Sequence, residues 1–444
     1  MALHPRKTLF LILAAIILVG AAVAYLHFFE GKIPQIQIKT DMSHATKETS
    51  FPLKVTDQGM GLRNVLVQSW QGDNLMTLLE KSFPANQYAW EGEFSLPKQG
   101  LHDGPMEIVI QATDKSLANW GQGNTAIFRQ SLTFDATPPR ISVISDAHNL
   151  NQGGAGLIVY ALSEEVSHSG VVVDDTFFPG YRQESDEYFC LFAIPFDIDP
   201  VKHRPVLTAT DFAGNTAQTT FYFHGNRRSF REDTLNISDA FLENVMPQFH
   251  NTFPEAESLL ELYLLVNRDL RARNIAFLQS LAATTSPTPL WDDVFMRQPR
   301  SAPRAGFADH RTYVYNGEVI DHQVHMGIDL ASTAFDAIVS ANRGQVIFTG
   351  ELGIYGQTVI LDHGLGLHSL YAHLSQILVS EGEMIEKGHV LGRSGMTGLA
   401  AGDHLHFEIL ISGVSINPIE WWDEQWLNHN FWSKTGLVRQ DDQP

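Results

Sequence analysis

Between Ala337 and Leu410, short β-rich segments alternate with glycines, and this punctuation restricts the fold more than any other feature of the chain. Val346-Ile-Phe, Thr358-Val-Ile-Leu, Leu367-His-Ser-Leu-Tyr, Val390-Leu and His406-Phe-Glu-Ile-Leu carry the β-branched and aromatic residues that favour a pleated surface. Twelve glycines from Gly344 to Gly402 separate them, marking turns. The pattern predicts an antiparallel sheet whose successive strands bring distant residues side by side.

Histidines sit where such a sheet would gather them: in His325-Met-Gly-Ile-Asp329, in Tyr371-Ala-His373-Leu and in His404-Leu-His406. Gly327 works against a helix in the first of these stretches. In an extended chain, side chains two or four residues apart share a face. His325 and Asp329 then point one way together, as do His404 and His406. Zinc takes nitrogen and oxygen donors in tetrahedral geometry, and a catalytic site keeps one position open for water, whose pKa falls to about 7. Two histidines and one aspartate from this group meet that demand. The remaining imidazoles can take a proton or stabilise charge on an attacked carbonyl. Singly, each pair is weak in a chain with 19 histidines; their common setting among strands gives them weight.

The stretches occur in a characteristic order. After His325-Met-Gly-Ile-Asp329-Leu-Ala come Gly356-Gln-Thr-Val-Ile-Leu-Asp-His-Gly364, Tyr371-Ala-His-Leu-Ser375, Gly392-Arg-Ser-Gly-Met-Thr-Gly398 and Gly402-Asp-His-Leu-His-Phe-Glu408. This string resembles the catalytic domain of the lysostaphin-type (LytM-like) zinc endopeptidases of the duplicated hybrid motif fold, over roughly residues 305–425. The resemblance implies His325, Asp329 and His406 as zinc ligands and His373 and His404 as catalytic residues. It also implies peptidoglycan stem or cross-link peptides as substrate. The family's tyrosine just before the first motif is missing, since residues 319–324 read Val-Ile-Asp-His-Gln-Val. Tyr313 and Tyr315, on a predicted hairpin turning at Asn316-Gly317, read as strand packing. His322, His363 and His368 read as structural or peripheral.

Thr8 to Phe29 is an apolar run of 22 residues preceded by Arg6 and Lys7, long enough to cross a bilayer with its positive flank in the cytoplasm. Ala22-Val-Ala24 would suit signal cleavage, but the apolar stretch exceeds a signal core of about 7–15 residues. A retained anchor in the bacterial inner membrane is expected, with the rest of the chain on the periplasmic side. The formal charge of −20 gives no general attraction to nucleic acid or anionic lipid. Cys190, the one cysteine, lies in the apolar run Tyr188-Phe-Cys-Leu-Phe-Ala-Ile and is expected to be buried.

The middle of the chain carries an internal repeat. Ala112-Thr-Asp114 with Gly123-Asn-Thr-Ala126 recurs as Ala209-Thr-Asp211 with Gly214-Asn-Thr-Ala217, and Asp135-Ala-Thr-Pro-Pro139 stands between. The spacing predicts two immunoglobulin-like β-sandwiches acting as spacers, with contact to envelope protein partners. Ser238 to Met246 predicts a short amphipathic helix, and a longer one is expected from Pro254 to Leu281, followed by the linker Thr284-Thr-Ser-Pro-Thr-Pro289. The tryptophan-rich stretch after Asn417 reads as a cap over the sheet.

The expected architecture is mainly β. It comprises a transmembrane anchor (1–30), Ig-like sandwiches (33–136 and 138–225), a helical segment and linker (236–289) and a zinc peptidase domain (290–432). The expected activity is hydrolysis of peptidoglycan peptide bonds. The alternative is a non-catalytic envelope regulator that activates wall amidases or acts as a scaffold.

Overall fold

A computed structural model describes residues 5–40 and 42–437. Its Cα packing divides the chain into two units, Met1–Pro139 with Thr210–Thr216, and Arg140–Ala209 with Ala217–Pro444.

The first unit begins with the apolar helix Pro5–Phe28. Its stretch Lys7–Phe28 has a mean hydropathy of 2.8, and none of it is buried in the protein. A helix that is apolar all round and unpacked has the length and character to cross a membrane. Two sheets follow. One pairs Gln35–Ile38, Ser50–Thr56 and Ala89–Ser95; the other runs in the order His44–Ala45, Thr125–Phe134, Gly104–Asp114, Leu62–Gln71, Asn74–Ser82. Alternation along Ser50–Thr56 turns Phe51, Leu53 and Val55 inward, where they join Val65, Val67, Ile108, Ile110 and Leu132 of the other sheet in one core.

In the second unit, Ala155–Leu162 and Tyr188–Ala193 pair antiparallel. Cys190 is fully buried there, and burial pushes its thiol up to about 12. The large sheet that follows runs in the order Ala302–Ala305, Ile328–Ala331, Leu405–Ile411, Leu367–Leu374, Gln357–Asp362, Gly344–Glu351, Met384–Ile385, with Val414–Ile416 beside Leu405–Ile411. Its two central strands are buried at every residue, which requires cover on both faces. Phe407, Ile409 and Ile411 face a cluster that reaches from Leu150 and Phe192 to Trp421 and Phe431. Leu370, Ala372 and Leu410 face a second cluster formed with Leu262, Val266 and Leu270 of the helical segment.

That segment contains helices Asp239–Val245, Leu259–Leu265 and Arg271–Ser280, the last two joined through a π-turn at Val266–Leu270. The longer helix starts at Leu259, five residues later than the sequence suggests. The Ser258 hydroxyl accepts from Glu261 N at 3.1 Å, and the Glu261 carboxylate accepts from Glu257 N at 2.8 Å. This capping outweighs the acidic run before it. The tryptophan-rich stretch packs inward: Trp421 is fully buried, its ring 5.9 Å from Trp291 and 5.2 Å from Phe295.

Candidate active site

Sheet register assembles the site. Asp329 stands directly across from His406, and His406 across from Ala372, the residue before His373. His325 ends the strand Glu318–His325, and the chain turns through Gly327 into Ile328–Ala331. A Cβ at Gly327 would lie 2.6 Å from the Phe407 carbonyl oxygen and 2.8 Å from His406 Cε1. Only glycine lets this turn press so closely on the neighbouring strand.

All five expected residues come together. His325 Nε2 lies 3.0 Å from His406 Nδ1, and the two nitrogens lie 3.0 and 2.9 Å from Asp329 Oδ1. The opposite ring nitrogens are already engaged. His325 Nδ1 donates to the Gly306 carbonyl at 2.8 Å, and His406 Nε2 donates to Glu408 Oε1 at 2.7 Å. These partners set the tautomers so that two ring lone pairs and a carboxylate oxygen converge. Facing lone pairs 3.0 Å apart need a proton or a cation between them, and two nitrogens plus one oxygen suit a divalent metal.

His373 and His404 flank this set. Each Nδ1 donates to a backbone carbonyl at 2.8 Å, Thr397 for His373 and Gly402 for His404. Each Nε2 is thereby left as the acceptor of the neutral ring. The rings lie 4.8 Å apart, and His404 Nε2 is 3.4 Å from Asp329 Oδ1.

Burial drives His373 down to about 3, reinforced by His404 and His406, so it is neutral at physiological pH. Burial opposes charge on His406 as well, but its hydrogen bonds to Asp329 and Glu408 prevail and push it up to about 9. Burial alone would raise Asp329, yet the surrounding histidines hold it well below the usual carboxylate range.

The site contains residues that the sequence reading gave no role. Glu408 is fully buried and accepts from the Tyr355 hydroxyl at 2.8 Å and the Ser415 hydroxyl at 2.9 Å while holding His406. Its signal was present, because it lies two residues beyond His406 and so on the same face of the strand. Arg311, whose Nη2 is 3.3 Å from Asp329 Oδ2, had no such signal. Replacing Glu408 with alanine should lower metal affinity about 10–100-fold, as expected when a partner that orients a ligand is removed. Competition with a chelator of known affinity would measure this, and unchanged affinity would contradict it.

Other residues fall elsewhere. His363 is buried between the Arg343 carbonyl and the Ser369 hydroxyl, and His368 lies beside Asp362 and the Thr284 carbonyl. His322 contacts Thr312. Tyr315 donates to Asp239, whereas Tyr313 lines the cavity that holds the five site residues. That cavity measures about 860 Å³. The helical segment also lines it, through Ile237, Ala240, Phe241, Asn244 and Val245.

Strand register thus gathers a converging His-Asp-His set that could hold a metal ion, with two further imidazoles beside it. Residues 323–418 match the model of peptidase family M23, and the chain carries an M23 peptidase domain in its C-terminal part. The chain is 38% identical over 97 residues to the DD-carboxypeptidase/endopeptidase Mpg of Neisseria meningitidis serogroup B, covering 22% of each chain. It is 33% identical over 96 residues to the peptidoglycan DD-endopeptidase ShyA of Vibrio cholerae, again covering 22% of each. It is also 36% identical over 96 residues to the murein hydrolase activator NlpD of Salmonella dublin, covering 21% of this chain and 25% of that one. The chain thus spans about a quarter or less of the length of these relatives.

Proposed function

We propose that this protein is a zinc metalloendopeptidase of the bacterial cell envelope that hydrolyses peptide bonds in peptidoglycan stems or cross-links. The observation that carries the reading is the convergence of His325, Asp329 and His406 beside two imidazoles whose Nε2 atoms are unprotonated in the neutral rings. The relative named as a peptidoglycan DD-endopeptidase supports the choice of substrate. His325, Asp329 and His406 would hold zinc, which when bound lowers the pKa of a water and polarises the scissile carbonyl.

The protein's own groups would do the rest. One of His404 and His373 would take the water proton on its free Nε2 and pass it to the leaving amine; the other, once it carries a proton on Nε2, would donate to the developing oxyanion. Glu408 and the Gly306 carbonyl fix the ligand rings, and Arg311 holds the second oxygen of Asp329.

Pro5–Phe28 would anchor the chain in the inner membrane with the peptidase on the periplasmic side. Residues 33–136 and 138–225 would serve as Ig-like spacers that meet envelope partners, and residues 290–432 as the peptidase domain. A non-catalytic regulator is the second reading, favoured by the likeness to a murein hydrolase activator. The complete donor set argues for hydrolysis. Incubating the zinc-loaded protein with isolated sacculi and identifying released fragments by mass spectrometry tests the choice; no release at any zinc occupancy would leave the regulator.

The helical wall should govern access. Phe241→Ala widens the cavity without touching the ligands. It should raise turnover on cross-linked sacculi severalfold relative to a short soluble peptide. An unchanged ratio between the two substrates would remove the wall from substrate selection.

A further inference from the structure

Where the chain leaves the apolar helix, three carboxylates from distant positions meet. Glu30, Asp57 and Asp114 each offer an oxygen, and these oxygens lie within 4.8 Å of one another. Asp114 is fully buried and Asp57 is 5% exposed.

The frame around them is built to hold carboxylates. Asp57 Oδ2 accepts from Gly59 N at 2.9 Å and Gly61 N at 2.7 Å. Asp114 Oδ1 accepts from Ser116 N at 3.0 Å and Asn124 N at 2.7 Å, and its Oδ2 accepts from the Asn124 side chain at 2.9 Å. Glu30 Oε2 accepts from Lys32 N at 2.7 Å. The second oxygens of two of these groups, Asp57 Oδ1 and Glu30 Oε1, are buried without a hydrogen-bond partner.

Among the described residues, no lysine, arginine or histidine forms an ion pair with any of the three. The adjacent Lys115 turns away to the Phe83 and Pro84 carbonyls. Three gathered negative charges and two orphaned buried oxygens are costly unless a cation joins them.

We propose that Glu30, Asp57 and Asp114 form a calcium site that ties the stem below the apolar helix to both sheets of the first unit. The donors are all oxygen, with no nitrogen or sulfur, which selects a hard cation. Calcium takes several carboxylate oxygens at about 2.3–2.6 Å in flexible geometry, whereas magnesium keeps several waters and is usually held by only one or two carboxylates, so a dedicated three-carboxylate set favours calcium.

The placement gives the site a purpose. Asp57 follows the strand Ser50–Thr56 of one sheet, and Asp114 ends Gly104–Asp114 of the other. Glu30 lies two residues beyond Phe28, the end of the apolar helix. The same loop already grips the stem: Leu117 N donates to the Phe28 carbonyl at 2.7 Å, and Ser116 and Asn124 each donate to the Glu30 carbonyl at 2.9 Å. The sequence repeat preserves part of this frame. Asn215 donates its side chain to Asp211 at 2.8 Å and to the Asp135 carbonyl at 3.0 Å, as Asn124 does to Asp114 and Glu30. A cation would turn this hydrogen-bonded joint into a stiff one.

The test uses the zinc-loaded protein in detergent, dialysed against calcium-free buffer that contains zinc and then against radioactive Ca²⁺, beside Asp57→Asn and Glu30→Gln. The expected result is one Ca²⁺ equivalent fewer in each variant, or affinity at that site at least about tenfold weaker, since affinity follows the number of charged ligands. Ca²⁺ should also raise the unfolding temperature of the first unit in the unsubstituted protein more than in either variant. Zinc content should be equal in all three, and a cooperative unfolding transition of the first unit in calcium-free buffer serves as the control for its folding. Glu30 is only half-buried, so Glu30→Gln carries the test if Asp57→Asn misfolds. Equal Ca²⁺ binding in the unsubstituted protein and Glu30→Gln, or no Ca²⁺ binding at millimolar concentration, overturns the proposal.

Discussion

Replacing His325 or Asp329 with alanine should empty the metal centre and end hydrolysis. Each supplies one of three converging donor atoms, and a three-ligand centre cannot lose one without losing most of its hold on the metal. His325→Ala also leaves the Gly306 carbonyl without its donor. Asp329→Ala leaves Arg311 facing a site without its counter-charge. Elemental analysis after dialysis should find little zinc in either variant. Release of fragments from sacculi should fall by roughly 10³-fold or more, as expected when water activation and carbonyl polarisation are lost together. Zinc retained at the level of the unsubstituted protein would contradict the assignment.

His373→Ala and His404→Ala should behave differently. Neither ring belongs to the converging set, and each is held by its own backbone carbonyl. Zinc content should therefore stay near that of the unsubstituted protein, while kcat falls by about 10²–10⁴, the usual range for a group that moves a proton in the transition state. The pH profile separates the two. Loss of the proton acceptor should remove the acidic limb of kcat/KM; loss of the group beside the oxyanion should lower the whole profile without moving that limb. If all four histidine and aspartate variants lost zinc equally, the division into ligands and catalytic residues would fail.

The sheet and the gathering of histidines were legible because both rest on local pattern. Glycine spacing marked the turns, and a period of two put His404 and His406, then Glu408, on one face. The choice of His406 over His404 as the inward ligand was not legible from spacing, since the two share a face; it came from resemblance to a family. In the structure Glu408 clamps the far nitrogen of His406, while His404 turns to the Gly402 carbonyl.

Arg311 could not be found because nothing local marks a strand arginine as reaching an aspartate eighteen residues away. The start of the longer helix was misplaced because the acidic residues before Leu259 look like a first turn, whereas the Ser258 cap decides where the turn begins. The common cluster joining Leu150 and Phe192 to Trp421 was equally hidden, since such packing leaves no periodic trace in either segment.

That shared cluster has a practical corollary. Asn151 and Ala155 N donate to the Glu420 carboxylate, and Lys434 reaches the Leu157 carbonyl, so the end of the chain is stitched to residues nearly three hundred positions earlier. A protease nick in the segment between residues 226 and 290 would leave two fragments still bound through a greasy seam. Cleavage there would not shed the carboxy-terminal piece as a free, diffusing fragment; it would stay wherever the amino-terminal piece is held.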